Sequence, residues 1–337
     1  MAMRISPSPA VRVCMTARGW SRTVVALLLA LIPVAAAAQS FPVKPLRLIV
    51  RSPPGGTDDL LARLVTQKMP EAIGQQMVVD YRTGAGGLVA WEHVAKAAPD
   101  GYTVLLAASG LGAIKSLRPD ATIDPWRDFT WVSQISKYQL VLVAHPSLPA
   151  RNIAELVALG RSQPGQLTYG SSGVGATPHL SAEYFKFAAK VDITHVPYKG
   201  AGPMYVDLIG GRLALGMAVV GSAMPHITSG RVRALGVTGA VRVPQLPQVP
   251  TIAEGGVPGY EFTAFYALLV PAKTPRDIVN KLADAIGKVV ASPEYRERVI
   301  NAGMEPKSNT PEQMLEVAKQ DGTQIDKIIR TANIRLE

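Results

Sequence analysis

The sequence has almost no cysteine, and its single cysteine, Cys14, lies close to the N-terminus. A disulfide framework and a cysteine-ligated metal site are therefore excluded. Cys14 precedes the apolar run Val24–Val34, so it is not placed for lipidation at a cleavage site that follows this run. A chain without disulfides must be stabilised by a well-packed core.

Long apolar runs are also missing, apart from Val24–Val34. Eleven apolar residues fall short of the roughly 20 that a helix needs to cross a bilayer. The first 38 residues contain no acidic residue, and small residues, Ala36 and Ala38, follow the apolar run. This composition is typical of a secretory signal peptide over 1–38. We expect cleavage after Ala38 and export to the periplasm as a soluble protein. The basic residues before the run are Arg4, Arg12, Arg18 and Arg22.

Charged residues are scarce, at 18% of the chain, and they are not clustered. The formal net charge of +10 becomes +6 without the four N-terminal arginines. Nucleic-acid binding normally requires a basic patch with interleaved aromatic residues, so we expect no nucleic-acid partner. The 299 residues that remain after cleavage are enough for one large domain or two of ordinary size.

Short apolar runs alternate with amphipathic stretches along the rest of the chain. Thr103–Ala108 is typical of a buried strand, and Asn152 is placed to cap a helix that ends at Ser162. This alternation predicts an α/β fold with parallel sheets. Two extended segments, Val141–Pro149 and Val237–Pro250, are expected to cross between two lobes. They predict a first lobe over 39–142 and 241–337, a second over 143–240, and a ligand cleft between them.

Four loops rich in glycine or serine follow predicted strands. The first loop is Pro53–Asp59, the second is Gly170–Thr177, the third is Gly84–Gly87, and the fourth is Ser109–Gly110. In open α/β sheets, ligands bind outside the carboxyl ends of the strands, where all four loops are expected. Free N–H groups and the helix dipole at such helix starts favour an anion. Tight turns also need glycine for steric reasons, so a structural role is the alternative for each loop.

The sequence does not match the known motifs for catalysis, for cofactor binding or for metal binding. Val89 and Pro178 stand where a dinucleotide fingerprint would need its third glycine. The second loop lacks the Gly-x-Ser-x-Gly spacing of a nucleophile elbow, and no histidines are spaced to bind zinc. Asp58 and Asp59 resemble an acid/base pair, but adjacent residues in a first helical turn point apart, and acidic residues there stabilise helices. We expect no enzyme activity, no cofactor and no metal.

Eight short motifs follow one another in a characteristic order from Phe41 to beyond Pro311. They are Phe41-Pro-x-Lys-Pro-Leu-Arg, Pro53-Pro-Gly-Gly, Gly84-Ala-Gly-Gly, Ala98-Pro-Asp-Gly-Tyr, Asp124-Pro-Trp-Arg-Asp-Phe, Gly170-Ser-Ser-Gly, His195-Val-Pro-Tyr-Lys-Gly and Val249-Pro-Thr-Ile-Ala-Glu. In these motifs the chain resembles the Bug family, the extracytoplasmic receptors of tripartite tricarboxylate transporters.

The resemblance implies a type II-like periplasmic binding protein with two lobes, two crossing segments and a cleft. It implies a receptor that captures a small organic acid, holds one carboxylate at the first loop, and passes the ligand to membrane permease subunits. A ligand-sensing receptor that docks on a membrane signalling protein is the alternative. We expect a monomer. The expected ligand-binding residues are Pro54, Gly55, Gly56, Thr57, Asp58, Ser109, Ser171, Ser172, Gly175, Thr177, His179 and Ala218, with His179 alternatively satisfying its own loop.

Several residues depart from the family pattern. Asp58 stands at a position that usually carries a hydroxyl, and Arg51, usually an uncharged residue, is close enough in sequence to neutralise it. Ala176 replaces a common hydroxyl residue, and Ala218 replaces a frequent aspartate. These changes predict a ligand less polar than citrate, such as an aromatic or monocarboxylic acid. Alternatively, Asp58 accepts a hydrogen bond from an amine or hydroxyl of the ligand.

Overall fold

The computed structural model describes residues 41–334, so the predicted signal peptide lies outside the described residues. Among the residues described, no helix is long and apolar enough to cross a membrane. Strands β1–β10 span Leu46–Val50, Met77–Tyr81, Thr103–Ala108, Phe129–Ala144, Thr168–Ser171, Thr194–Pro197, Leu215–Val219, Arg233–Val237, Thr263–Pro271 and Met304–Pro306. Helices α1–α10 span Thr57–Ile73, Leu88–Ala95, Ile114–Leu117, Ile153–Ser162, Thr177–Ala189, Ala201–Ile209, Val220–Thr228, Arg276–Ala291, Pro293–Asn301 and Pro311–Thr331.

The helices begin and end where local chemistry favours it. The Asn152 side chain accepts a hydrogen bond from the Glu155 N–H, 2.8 Å away, which confirms the predicted cap of α4. Helix α10 begins with a capping box between Thr310 and Gln313. Helix α1 ends at Ile73 and is followed by Gly74, whose φ of +82° favours a residue without a Cβ.

The strands form two sheets of mixed direction. In the first sheet the order is β2-β1-β3-β9-β4, with β10 also paired to β4. In the second sheet β4 pairs with β8 and β7, and β5 and β6 follow β7. Neighbours are parallel in β2-β1-β3 and in β7-β5-β6, as the sequence predicts. The prediction of wholly parallel sheets is wrong for β4, β8, β9 and β10, which pair antiparallel.

Strand β4 belongs to both sheets, and together they give the two-lobed α/β fold. Its Gln139 pairs with Thr263 of β9, and the next residue, Leu140, pairs with Val219 of β7. The first half of β4 carries one register shift between Trp131 and Ser133 and a second between Gln134 and Ser136. Such bulges break the apolar alternation that identifies a strand in a sequence. The predicted lobe boundaries at 142/143 and 240/241 stay a prediction.

Each sheet packs helices over its own apolar cluster. In the first lobe, residues of α2, α3 and α10 cover β1, β3 and β9 around Trp91, Leu105 and Met314. In the second lobe, α6 and α7 pack on β4 and β7 around Val141 and Met204.

Candidate functional site

The first loop presents exposed backbone after β1 and is shaped by Asp59. The Gly55 N–H donates to Asp59 Oδ2 at 2.9 Å, and Arg63 Nε donates to Oδ1 at 2.8 Å. The Tyr81 hydroxyl also donates to Oδ1. Burial alone would raise the pKa of Asp59, but the hydrogen bonds from Tyr81, Gly55 and Arg63 hold it below the ordinary value. Asp59 is therefore charged, and its oxygens serve the loop itself.

Asp58 is buried and paired. Arg51 Nε lies 3.3 Å from Asp58 Oδ2, and the Tyr266 hydroxyl donates to Oδ1 at 2.8 Å. The expected neutralisation of Asp58 by Arg51 is confirmed. Burial and the neighbouring Asp58 charge raise the pKa of Tyr266 well above its ordinary value, so its hydroxyl remains a donor. The pair adds no net negative charge beside the first loop.

A pair of buried tyrosines connects the first loop to the second. The Tyr138 ring stacks on Tyr266 with centroids 5.2 Å apart. The Tyr138 hydroxyl donates to Thr177 Oγ1 at 3.3 Å. Burial raises the pKa of Tyr138 to about 12, which keeps this hydroxyl protonated. Asp58 and Thr177 are therefore connected by successive buried contacts through Tyr266 and Tyr138.

One of the two serines of the second loop, Ser171, is fully engaged in hydrogen bonds to neighbouring residues. Ser171 is fully buried, and its Oγ lies 2.7 Å from His195 Nε2 and accepts from the Gly173 N–H at 3.2 Å. The His195 ring stacks on Tyr169 with centroids 4.8 Å apart. Burial lowers the pKa of His195 to about 4, so the imidazole is neutral near pH 7. Ser172 is half-buried.

His179 holds the end of the same loop. Its Nδ1 accepts from the Gly175 N–H at 3.1 Å, which places the imidazole proton on Nε2. Burial also lowers the pKa of His179 and keeps the ring neutral. No described residue accepts a hydrogen bond from Nε2. His179 Nδ1 therefore accepts a hydrogen bond from its own loop, and the proton on Nε2 remains available as a donor.

Ser109 and Gly110 end β3 where the two lobes touch. Ser109 Oγ accepts from the Phe265 N–H at 2.8 Å. The Gly110 N–H donates to Asp321 Oδ2 at 3.0 Å. A Cβ on Gly110 would lie 3.6 Å from Leu180 of α5, which belongs to the second lobe. The fourth loop is thus a contact point between lobes.

The remaining expected residues occupy different surroundings. Pro54, Gly55 and Gly56 are exposed on the first loop, and Thr57 is half-buried at the start of α1. Ala218 is 2% exposed and packs in the apolar cluster of the second lobe. The part of the chain that the structure describes contains no group of His, Cys, Asp or Glu that could hold a metal ion. The ligand roles of the expected residues stay predictions.

Three residues of this region were missed by the sequence reasoning: Tyr138, Tyr266 and Asp321. Tyr138 and Tyr266 lie inside strands, and Asp321 lies in the last helix, far from any glycine loop in the sequence. The only signal in the sequence was the hydroxyl of Tyr266, which stands in an almost wholly apolar strand. The contacts of the two tyrosines join residues 208 and 39 positions apart.

Known proteins resemble this chain along most of its length. A family model described as the tripartite tricarboxylate transporter family receptor matches residues 61–334. A Pseudomonas sp. (strain P51) protein, described as the UPF0065 protein in the tcbD-tcbE intergenic region, is 38% identical over 291 residues. This alignment covers 86% of this chain and 87% of that protein.

Two solved structures share the fold. The structure described as R. palustris Rpa4515 with adipate has a TM-score of 0.82 and 36% identity, and the match covers 88% of this chain and all of that one. The structure of MatC from Rhodopseudomonas palustris with bound malate has a TM-score of 0.79 and 29% identity. That match covers 86% of this chain and 100% of the MatC chain.

Proposed function

The chain belongs to the tripartite tricarboxylate transporter receptor family, and we propose that it captures a small organic acid in the periplasm for membrane permease subunits. Receptors of this family bind solutes, and the similar structures hold adipate and malate. We extend this to a carboxylate ligand for the present chain. The proposal includes export through a cleaved signal peptide over 1–38, a monomeric state and the absence of enzyme activity.

One observation carries the proposal: the first and second loops are joined by the buried contacts from Asp58 through Tyr266 and Tyr138 to Thr177. These contacts link the first turns of α1 and α5, which carry Asp58 and Thr177. Helix starts carry unpaired N–H groups and a positive dipole end, and both favour an anion.

The proposed ligand contacts are dipolar and not charged. His179 and His195 are neutral, and Arg51 is balanced by Asp58. The Thr177 hydroxyl accepts from Tyr138 and keeps its own proton to donate to a ligand oxygen. A hydrogen bond to a charged group contributes about 1.5–3 kcal/mol. Three or four of them supply much of the roughly 8 kcal/mol of micromolar binding.

The backbone of Pro54, Gly55, Gly56 and Thr57 is proposed to hold one carboxylate. Ser172, Gly175, Thr177 and the His179 Nε2 proton are proposed to face the remainder of the ligand from the second loop. The Gly55 and Gly175 N–H groups already donate to Asp59 and His179, so the donors proposed for the ligand are the N–H groups of Gly56 and Thr57, the Ser172 and Thr177 hydroxyls and the His179 Nε2 proton.

The test uses the chain over 39–337 without its predicted signal peptide. Native mass spectrometry of freshly purified protein should show a co-purifying organic acid that is chemically unchanged. Calorimetric titration of an acid panel should then give at least one ligand. Thr177→Val should weaken that ligand by about tenfold, because one charged hydrogen bond is lost. The matched control is Thr331→Val at the exposed end of α10. Recovery of a converted acid, or no acid binding at all, would contradict the proposal.

A further inference from the structure

We propose that the backbone contact of Gly221 with Ala302 and Gly303 is a hinge stop, which limits how closely the two lobes approach and so sets ligand affinity without touching the ligand. The proposal rests on the proposed function, because it assumes that a ligand is held between the lobes. None of these three residues is among the ligand contacts proposed above.

The hinge stop lies where strands of the two sheets end beside each other along β4. Strands β7 and β10 pair with one edge of β4, and β8 and β9 pair with the other. Val219, the last residue of β7, pairs with Leu140, and Met304, the first residue of β10, pairs with Tyr138. Only Gln139 of β4 separates the two pairings, so the end of one lobe's strand faces the start of the other's.

The opposite edge of β4 joins the lobes by hydrogen bonds around Thr238, which follows β8. The Thr238 N–H donates to the Leu140 carbonyl at 3.0 Å, and its Oγ1 accepts from the Leu140 N–H at 2.9 Å. The Thr238 carbonyl accepts from the N–H of Phe262, just before β9, at 2.7 Å. Because this edge is tied to both sheets, we expect a relative motion of the lobes to change distances at the edge that carries Gly221.

The hinge stop consists of backbone atoms on both sides. A Cβ on Gly221 would lie 1.7 Å from the Ala302 carbonyl oxygen and 2.8 Å from the Gly303 nitrogen. A Cβ on Gly303 would lie 2.2 Å from the Gly221 nitrogen. Within residues 41–334, no hydrogen bond joins Gly221 to Ala302 or Gly303. A backbone contact without a hydrogen bond resists closer approach, yet it does not hold the two sides together.

A side chain at Gly221 would therefore keep the lobes apart. The Ala302 oxygen would have to move by about 1.3 Å, because Cβ atoms are essentially never found closer than 3.0 Å to such an atom. The contact lies within about 10 Å, two strand spacings, of both connections between the lobes. A rotation that gives this displacement shifts positions about 20 Å away, still within one lobe, by about 3 Å. Hydrogen bonds from both loops to one ligand would not survive such a shift.

The first measurement follows the lobes without a ligand, by pulsed EPR. Residues 39–337 contain no cysteine, so spin labels can be attached at Glu71→Cys on α1 and Ala158→Cys on α4, both exposed. Adding Gly221→Ala should shift the mean distance between the labels by about 3 Å. Gly202→Ala is the matched control, because Gly202 is also the second residue of a helix in the second lobe but has no atom within 4 Å. It should leave the distance unchanged.

The second measurement is calorimetric titration with adipate and benzoate, one diacid and one aromatic monoacid. Gly221→Ala should weaken each acid that the wild type binds by about tenfold or more, because the closed arrangement becomes a minor population. Gly202→Ala should bind as the wild type does. A glycine needed for packing alone would lower the stability of the variant but would leave the affinity of the folded protein unchanged.

A second variant tests the hinge stop from the first lobe. Gly303→Ala should give a distance shift and an affinity loss similar to those of Gly221→Ala. Gly303 has a φ of +72°, so an alanine there is strained in any arrangement of the lobes. Gly259→Ala is the control for this strain, because Gly259 has a φ of +80° and no atom within 4 Å.

The outcomes separate the two proposals. Wild-type distances and affinities in both Gly221→Ala and Gly303→Ala would overturn the hinge stop and leave the receptor function intact. Failure of both variants to fold would also overturn it, since lobes that can separate would relieve the contact. If the wild type bound neither adipate nor benzoate, this would count against the proposed function, and the EPR distances would still decide the hinge stop.

Discussion

The half-buried carboxyl group of Asp321, at the contact between the lobes, should destabilise the folded chain as the pH rises. Asp321 lies on α10, and its Oδ2 accepts from the Gly110 N–H. Burial raises the pKa of Asp321 to about 6, despite hydrogen bonds from Gly110 and Ser109 that favour the charged form. The folded chain therefore keeps a proton that the unfolded chain has already released between about pH 4 and pH 6. The contribution of Asp321 to the free energy of unfolding should therefore fall as the pH rises through this window, opposite to the contributions of carboxylates whose pKa is lowered, such as Asp59 and Asp80.

The size of the effect follows from the two pKa values. The difference between the ordinary 3.8 and about 6 corresponds to about 3 kcal/mol of destabilisation above pH 6. Part of the Asp321 side chain reaches solvent, which reduces the expected value to about 1–3 kcal/mol. Asp321→Asn removes the charge but keeps an oxygen that accepts from the Gly110 N–H. At pH 7 this variant should be more stable than the wild type by that amount, and at pH 4 the difference should vanish.

The measurement is urea unfolding followed by tryptophan fluorescence at a series of pH values from 4 to 8. Gln320→Ala, a neighbouring change on α10 without an ionisable group, is the control and should give a profile parallel to the wild type. A stability difference between Asp321→Asn and the wild type that is constant with pH, or that grows as the pH falls, would refute the reasoning.

Other predictions concern packing, titration and ligand choice. Gly221→Ala should lower the free energy of unfolding by about 1–3 kcal/mol, because the new Cβ would lie 1.7 Å from the Ala302 carbonyl oxygen. Gly287→Ala, with no atom within 4 Å, should instead raise it by about 0.5–1 kcal/mol; equal effects in urea unfolding would be inconsistent with this packing. The His195 imidazole should titrate near pH 4 by NMR, and a midpoint near 6.5 would show that it is not buried. Asp58→Thr should alter the ranking of affinities across an acid panel, and an unchanged ranking would exclude a role in ligand choice.

Much of the local structure was predictable from the sequence. The bounds of β3 agree at both ends with the predicted Thr103–Ala108, and the Asn152 cap is confirmed. These features depend on neighbouring residues alone, since a buried run or a capping side chain acts within a few positions. The neutralisation of Asp58 by Arg51 was also predictable, because the two are seven residues apart.

Elements that depend on distant partners were predicted less well. The first half of β4 was missed because its bulges interrupt the apolar alternation, and its strand character depends on pairing with β9. Helix α7, Val220–Thr228, was also missed, since the sequence reasoning placed the last residue of a strand at its start. The antiparallel placement of β9 beside β3 depends on a return of the chain from the second lobe, which local propensity does not encode.

The sequence by itself determined that glycine loops follow the strands and that the chain belongs among two-lobed receptors, because both depend on motifs read in order. The tertiary structure alone decided which polar groups of those loops remain free. Ser171 is occupied by His195, which lies 24 residues further along the chain. Thr177 is oriented by Tyr138, which lies in the strand shared by both sheets. A hydrogen bond needs its donor and acceptor within about 3 Å, and only the folded chain brings such distant residues that close.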